Sequence, residues 1–210
     1  MKLVVFDMDG TLIDSQHDIT KSVNYVRENH YRLPPLSTKY VVEAINRDKR
    51  NLAKLFYETE IYEESAREIF EKHYHTQCIE NPHLYDGIKE TLSLLKENGF
   101  LMSVATNAPS TFAKRMLKHL KVDKYFEYIV GADMVKNPKP HPEMLYLIFK
   151  NYGFDSVKGS GWMVGDNSKD MGVAKNANLR GIFATWGFSK DGEGDFIASK
   201  PQDILDIVIK

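Results

Sequence analysis

Cysteine is nearly missing from this chain: Cys78 is the single one in 210 residues. That excludes an internal disulfide and a zinc site built from several thiolates, and leaves a buried or idle thiol. A surplus of charge is also missing. With 28 Lys and Arg against 29 Asp and Glu, the formal net charge is -1. No global field therefore draws nucleic acid or an anionic membrane surface, and any anion must be recognised locally. Nowhere does the sequence reach the run of about 18 apolar residues that a spanning helix needs. The apolar stretch Leu3 to Phe6 is too short for the core of a signal peptide. The expectation is a soluble, cytoplasmic protein with no nucleic-acid and no membrane partner. Internal repeats and low-complexity tracts are absent too, and nothing in the sequence sets an oligomeric state.

What is present is a core. Hydrophobic residues make up 42% of the chain, enough for one large domain or for a core with a modest insertion. Leu3, Val4, Val5 and Phe6 run without a polar break, as in a strand covered on both faces. Asp14 and Ser15 supply N-cap chemistry for a helix with Ile19, Val23 and Val26 on one stripe, running to about Tyr31. After Pro34 and Pro35, helical spacing returns at Val41, Val42 and Ile45, at Leu52, Leu55 and Phe56, and at Ile61, Ile69 and Phe70. No strand is legible between Ser15 and about Asn81. An all-helical block after a single strand reads as an insertion into an α/β domain.

From residue 82 onward, helix and strand signals alternate. Helices are expected over 87–98, 111–120, 142–152, 169–177 and 201–209, and strands over 100–105, 128–130, 161–164 and 181–184. This β-α-β progression implies a parallel sheet with right-handed crossovers. The fold class is α/β, a Rossmann-like parallel sheet core with an inserted all-helical cap domain. Residues 1–14 and 82–210 form the discontinuous core, and 15–81 the cap.

Several strand ends carry polar residues of one kind. The first gives Asp7 and Asp9 around a turn at Gly10; the next gives Thr106 and Asn107. A loop supplies Lys139, and the strand at 161–164 leads into Gly165, Asp166, Asn167 and Asp170. In a parallel sheet, ligands bind beyond the carboxyl ends of the strands, where these residues converge. Carboxylates, a hydroxyl, an amide and one ammonium suit a hard cation and a phosphate, with Asp7 and Asp166 fitted to hold Mg²⁺.

In order, DMDGT at 7–11, Thr106 after a strand, Lys139 within KPHPE, and GDNSKD at 165–170 resemble the four motifs of the haloacid dehalogenase-like hydrolase superfamily. The likeness spans nearly the whole chain, because the helical block lies where members with a helical cap carry theirs. DGTLIDS and TNAP look most like the phosphoglycolate phosphatase group. The resemblance implies a Mg²⁺-dependent phosphatase of a small phosphorylated metabolite. Asp7 would be the nucleophile that forms an aspartyl-phosphate, a recognised use of a carboxylate. Asp9 would be the general acid and base, lending its backbone carbonyl to the metal. Thr106, Asn107 and Lys139 would hold the phosphoryl oxygens, Asp166 would complete the metal site, and Asp170 would orient a metal-bound water or Lys139. Dehalogenases attack carbon and lack the second motif carboxylate, so Asp9 points to phosphate chemistry.

Plainer readings stand beside these. Asp7 and Asp9 also fit a polar turn, Thr106 with Asn107 a helix cap, and Asp170 a first-turn acid favoured by the helix dipole. Lys121 and Lys136 are rivals to Lys139, and His141 reads as structural or solvent-facing. Trp186, Gly187 and Phe188 either line the site mouth or pack, packing being favoured for the aromatics. In the cap, the turn from Asn46 to Asn51 carries Arg47, Lys49 and Arg50 where the nearest relatives usually place a small Gly-containing loop. Arg47 and Arg50 are candidates to bind a substrate carboxylate by a bidentate fork, or form a solvated helix end. A sugar-phosphate mutase of the β-phosphoglucomutase type and a non-catalytic phosphate-binding regulatory module are the alternative functions.

Overall fold

A computed structural model describes residues 1–48 and 50–209. Lys49, part of the basic cap turn, lies outside the described residues. The chain divides into two compact units, one of residues 1–14 and 84–210 and one of residues 15–83.

The first unit is built on a six-stranded parallel sheet. Its strands are β1 (Lys2–Phe6), β4 (Leu101–Ala105), β5 (Tyr128–Val130), β6 (Ser160–Gly165), β7 (Arg180–Ala184) and β8 (Phe196–Ala198). Two-residue strands, β2 (Ile13–Asp14) and β3 (His83–Leu84), flank the helical block in sequence. The order across the sheet is β5-β4-β1-β6-β7-β8. The chain therefore works outward from β1 in one direction, then returns to β6 and works outward in the other. Such a reversal opens a crevice at the carboxyl ends of the two central strands, here β1 and β6. Leu3 pairs with Leu101 on one side and with Gly161 on the other, so β1 is bonded along both edges. In that central position, covered on both faces, Leu3, Val4, Val5 and Phe6 all have 0% exposure.

Successive strand residues face opposite ways. Leu3, Val5 and Met163 pack with Met144, Ile148, Val173 and Ala174, from helices α7 (Glu143–Tyr152) and α8 (Ser168–Asn176). Right-handed crossovers assign α5 (Ile88–Glu97) and α6 (Ser110–His119) to the other face. The chain ends on α9 (Gln202–Ile209). β8 has no counterpart among the strands expected from the sequence. It is three residues long, follows a loop of Asp and Gly, and joins β7 in parallel without an intervening helix.

The second unit contains α1 (Gln16–Val26), α2 (Thr38–Asn46), α3 (Leu52–Tyr57) and α4 (Glu64–Gln77). Val23, Val26, Val41, Ala44, Phe56, Tyr57 and Ala66 form its core. The helix begun by α1 continues to Tyr31 as a π turn. Arg27, only 2% exposed, starts that turn and donates to the carbonyls of Pro34 and Phe56 and to Glu58. Asp18, equally buried, accepts from Gln77 Nε2 at 2.6 Å and from Asn81 N at 3.0 Å, tying the first turn of α1 to the end of α4. Among the described residues, no helix is long and apolar enough to cross a membrane.

Candidate active site

Where β1 ends, the chain folds on the carbonyl of Met8, which accepts from the N–H groups of Thr11, Leu12 and Ile13. Gly10 has φ +84°, a left-handed conformation that glycine adopts without a steric cost. A Cβ on Gly10 would overlap the carboxylate of Asp166. Glycine thus lets this turn press against the acid that follows β6.

Lys139 reaches the same place from the loop before α7. Its ammonium donates to Asp7 Oδ1 and to Asp170 Oδ1, each at 2.6 Å. Lys121 and Lys136 are exposed, so the lysine drawn into the acids is Lys139, between Pro138 and Pro140. Burial alone would lower Lys139, but the facing Asp170 and Asp7 carboxylates outweigh it and hold the ammonium well above its ordinary value. Asn107 fixes the approach: its Oδ1 accepts from Lys139 N at 3.0 Å and its Nδ2 donates to Lys139 O at 3.1 Å. Both ends of the amide are thereby engaged with the lysine backbone. Asn107 N–H and Thr106 O–H have no acceptor among the described residues. Thr106 Oγ1 accepts from Ala108 N at 3.1 Å.

Asp170 divides its two oxygens. Oδ1 takes the lysine, while Oδ2 accepts from Asn167 N at 3.1 Å, closing a capping box at the start of α8. Helix capping and contact with the ammonium coexist in one residue. Asp166 is held by three donors: Thr11 Oγ1 at 3.1 Å on Oδ1, and Phe188 N at 2.7 Å and Ser189 N at 3.3 Å on Oδ2. These two N–H groups, and the bond from Trp186 Nε1 to Thr11 O at 3.0 Å, make the 186–189 loop part of the site. Side-chain patterns could not show this, because the donors on Asp166 are backbone groups.

One ligand oxygen each from Asp7, Asp166 and Asp170 lie within 4.8 Å of one another, all three residues buried. The ammonium bonds Asp7 and Asp170, while the three donors on Asp166 are all uncharged. Burial and the charge of Asp7 push Asp166 up to about 7, despite its three donors. Burial also raises Asp170, offset in part by Lys139. A surplus of buried negative charge on hard oxygen donors is what a divalent cation would offset. Asp9, half-buried, is not in this trio; its backbone bridges Ile13. His141 is exposed, 3.8 Å from Glu143, whose carboxylate also accepts from Lys136 N and Asn137 N.

Of the cap residues, Arg47 is exposed at the C-cap of α2. Arg50 is half-buried, just before the Asn51 N-cap of α3, and burial lowers its guanidinium from the ordinary value.

Comparison with known proteins gives this arrangement a context. The chain is 31% identical over 219 residues to a phosphoglycolate phosphatase of Aquifex aeolicus, covering 99% of this chain and 97% of that protein. It is 31% identical over 211 residues to a probable phosphatase, IndB, of Dickeya dadantii, covering 97% and 89%. The crystal structure of a predicted phosphoglycolate phosphatase from Haemophilus somnus 129Pt superposes with a TM-score of 0.85 at 27% identity, covering 99% and 97%. The family model for haloacid dehalogenase-like hydrolases matches residues 4–184, a span that takes in Asp7, Asp9, Thr106, Asn107, Lys139, Asp166 and Asp170. Buried acids at the switch point of the sheet, a lysine drawn between two of them, and a match over most of the length make this chain a member of the haloacid dehalogenase-like hydrolase family.

Proposed function

We propose that the protein is a Mg²⁺-dependent phosphatase that hydrolyses a small phosphorylated metabolite of the phosphoglycolate type through an aspartyl-phosphate. The observation that carries this reading is Lys139 between Asp7 and Asp170 at 2.6 Å, with the Asn107 side chain bonded to the Lys139 backbone and the N–H of Asn107 and O–H of the adjacent Thr106 uncommitted among the described residues. Ammonium, hydroxyl and amide donors on one loop set are what phosphoryl oxygens require. The phosphoglycolate phosphatases among its relatives supply the substrate class.

Asp7 Oδ2 carries no hydrogen-bond donor among the described residues, which leaves it to react. In this reading it attacks phosphorus, the P–O bond to the metabolite breaks, and Asp9 gives a proton to the departing alkoxide. Asp9 then takes a proton from water as the water attacks the aspartyl-phosphate, releasing inorganic phosphate and restoring Asp7. Lys139 holds charge on the transferring oxygens, and Asp170 keeps Lys139 protonated and placed. Asp7 and Asp166, with the Asp9 carbonyl, would hold Mg²⁺, which offsets the negative charge of acids and phosphate when bound. In the cap, Arg47 and Arg50 are the proposed contacts for a substrate carboxylate.

The test is release of inorganic phosphate from phosphoglycolate and a panel of small phosphomonoesters. Turnover that EDTA abolishes and Mg²⁺ restores is expected, with none from Asp7→Asn. Metal-independent turnover, or an isomerised phosphorylated product with little free phosphate, would overturn the reading.

A further inference from the structure

A carboxylate offers about four lone-pair sites, two on each oxygen. On Asp166, Oδ2 has both of its sites taken by the N–H groups of Phe188 and Ser189, while Oδ1 has given one site to Thr11 Oγ1. A cation thus has one site on Oδ1 and none on Oδ2. The number of carboxylate oxygens offered matters to the choice of ion. Mg²⁺ is small and demands octahedral geometry, whereas Ca²⁺ takes about six to eight oxygens and readily accepts both from one carboxylate.

We infer that the 186–189 loop selects the metal: by occupying Oδ2 of Asp166 with two backbone donors, it limits that residue to one-oxygen binding and favours Mg²⁺ over Ca²⁺. This rests on the metal-dependent reading of the site given above. The loop is built to stay in place. Trp186 Nε1 anchors it to Thr11 O at 3.0 Å, and Gly187 leaves it room to lie against the acid. A Cβ on Gly187 would overlap the Gly10 carbonyl and stand 2.5 Å from Asp166 Cβ and 2.6 Å from Asp166 Cγ. Neither obstacle is the free end of a flexible side chain, so any larger residue lifts the loop and its two donors away from Oδ2. Gly187 and Trp186 are positioning residues here; they act on the metal through Asp166.

The test is calorimetric titration of the EDTA-stripped full-length protein with MgCl₂ and, separately, with CaCl₂. The wild type is expected to bind Mg²⁺ more tightly. In Gly187→Ala, the ratio of Ca²⁺ to Mg²⁺ affinity is expected to rise on the order of tenfold, the scale on which the partners of metal ligands act. Trp186→Phe, which removes only the Nε1 anchor, shifts the ratio the same way by less, and carries the test should Gly187→Ala not fold. Thr11→Val frees a site on Oδ1 alone and leaves the ratio where it was. A loop that merely supports the fold would weaken both ions by one factor, so an unchanged ratio in the folded loop variants overturns the inference. If the wild type binds Mg²⁺ and releases phosphate while the ratio stays fixed, only this inference falls. Should it bind neither ion, the metal-dependent reading falls with it.

Discussion

Lys139 and Asp170 are each 2% exposed at the side chain, so their contact is made away from water. Removing one partner of a buried pair costs about 3 to 5 kcal/mol, because the other charge is left without compensation. Lys139→Met leaves Asp7 and Asp170 facing one another, and urea unfolding of the metal-free variant is expected to show a loss on that scale, together with loss of phosphate release. Unchanged stability would mean that the carboxylates do not depend on the ammonium. For Asp9 the expected effect is kinetic. General acid work contributes about 10² to 10⁴ in rate, so Asp9→Asn loses that much turnover of alkyl phosphates and less of p-nitrophenyl phosphate, whose leaving group needs no proton. Equal losses on both substrates in the single-turnover step that forms the aspartyl-phosphate would contradict the general-acid assignment.

The N-terminal end of α6 adjoins the Thr106–Asn107 segment, and Asp133 fastens it. Its carboxylate accepts from Ser110 N at 2.6 Å and from Ser110 Oγ at 2.8 Å. Burial pushes this carboxyl up, and the Ser110 donors outweigh it, leaving it below the ordinary value. A folded-state value below the unfolded one of about 3.9 gives stability that is complete above that pH and lost as pH falls through the folded value. Asp133→Asn should therefore be less stable than wild type at neutral pH by about 1 kcal/mol, the usual worth of a capping contact. Unfolding curves across pH 2 to 7 check this: the gap closes in acid, and a gap independent of pH would contradict it. Elements of this kind divide by legibility. The strand Leu3–Phe6 announced itself because a doubly covered strand must be apolar at every position, and the strand-end acids because Asp and Gly cluster at its turn. The strand Phe196–Ala198 did not, because it follows β7 with no helix between and so falls outside the β-α-β alternation that marks Tyr128–Val130, an edge strand just as short. The resemblance assigns Asn107 to the phosphoryl oxygens; its side chain grips the Lys139 backbone, a use no motif spells out, and leaves its N–H for that role. The donors on Asp166 from the 186–189 loop are main-chain groups, which every residue but proline has.

Across the whole molecule, the fold concentrates negative charge at the one place where its two central strands end, and a bound divalent cation should stabilise what surrounds it. A ligand at one hundred times its dissociation constant adds about 2.7 kcal/mol to the state that binds it. Mg²⁺ at that excess should move the urea midpoint of the α/β unit upward and EDTA should return it; no shift would argue against a metal site on Asp7 and Asp166. The central claim is that Asp7 takes the phosphoryl group from the substrate. Peptide mass spectrometry of protein acid-quenched during turnover tests it most directly. The account predicts one phosphoryl group on Asp7 and none in Asp7→Asn; a phosphoryl group on any other residue, or undiminished hydrolysis by Asp7→Asn, would contradict it.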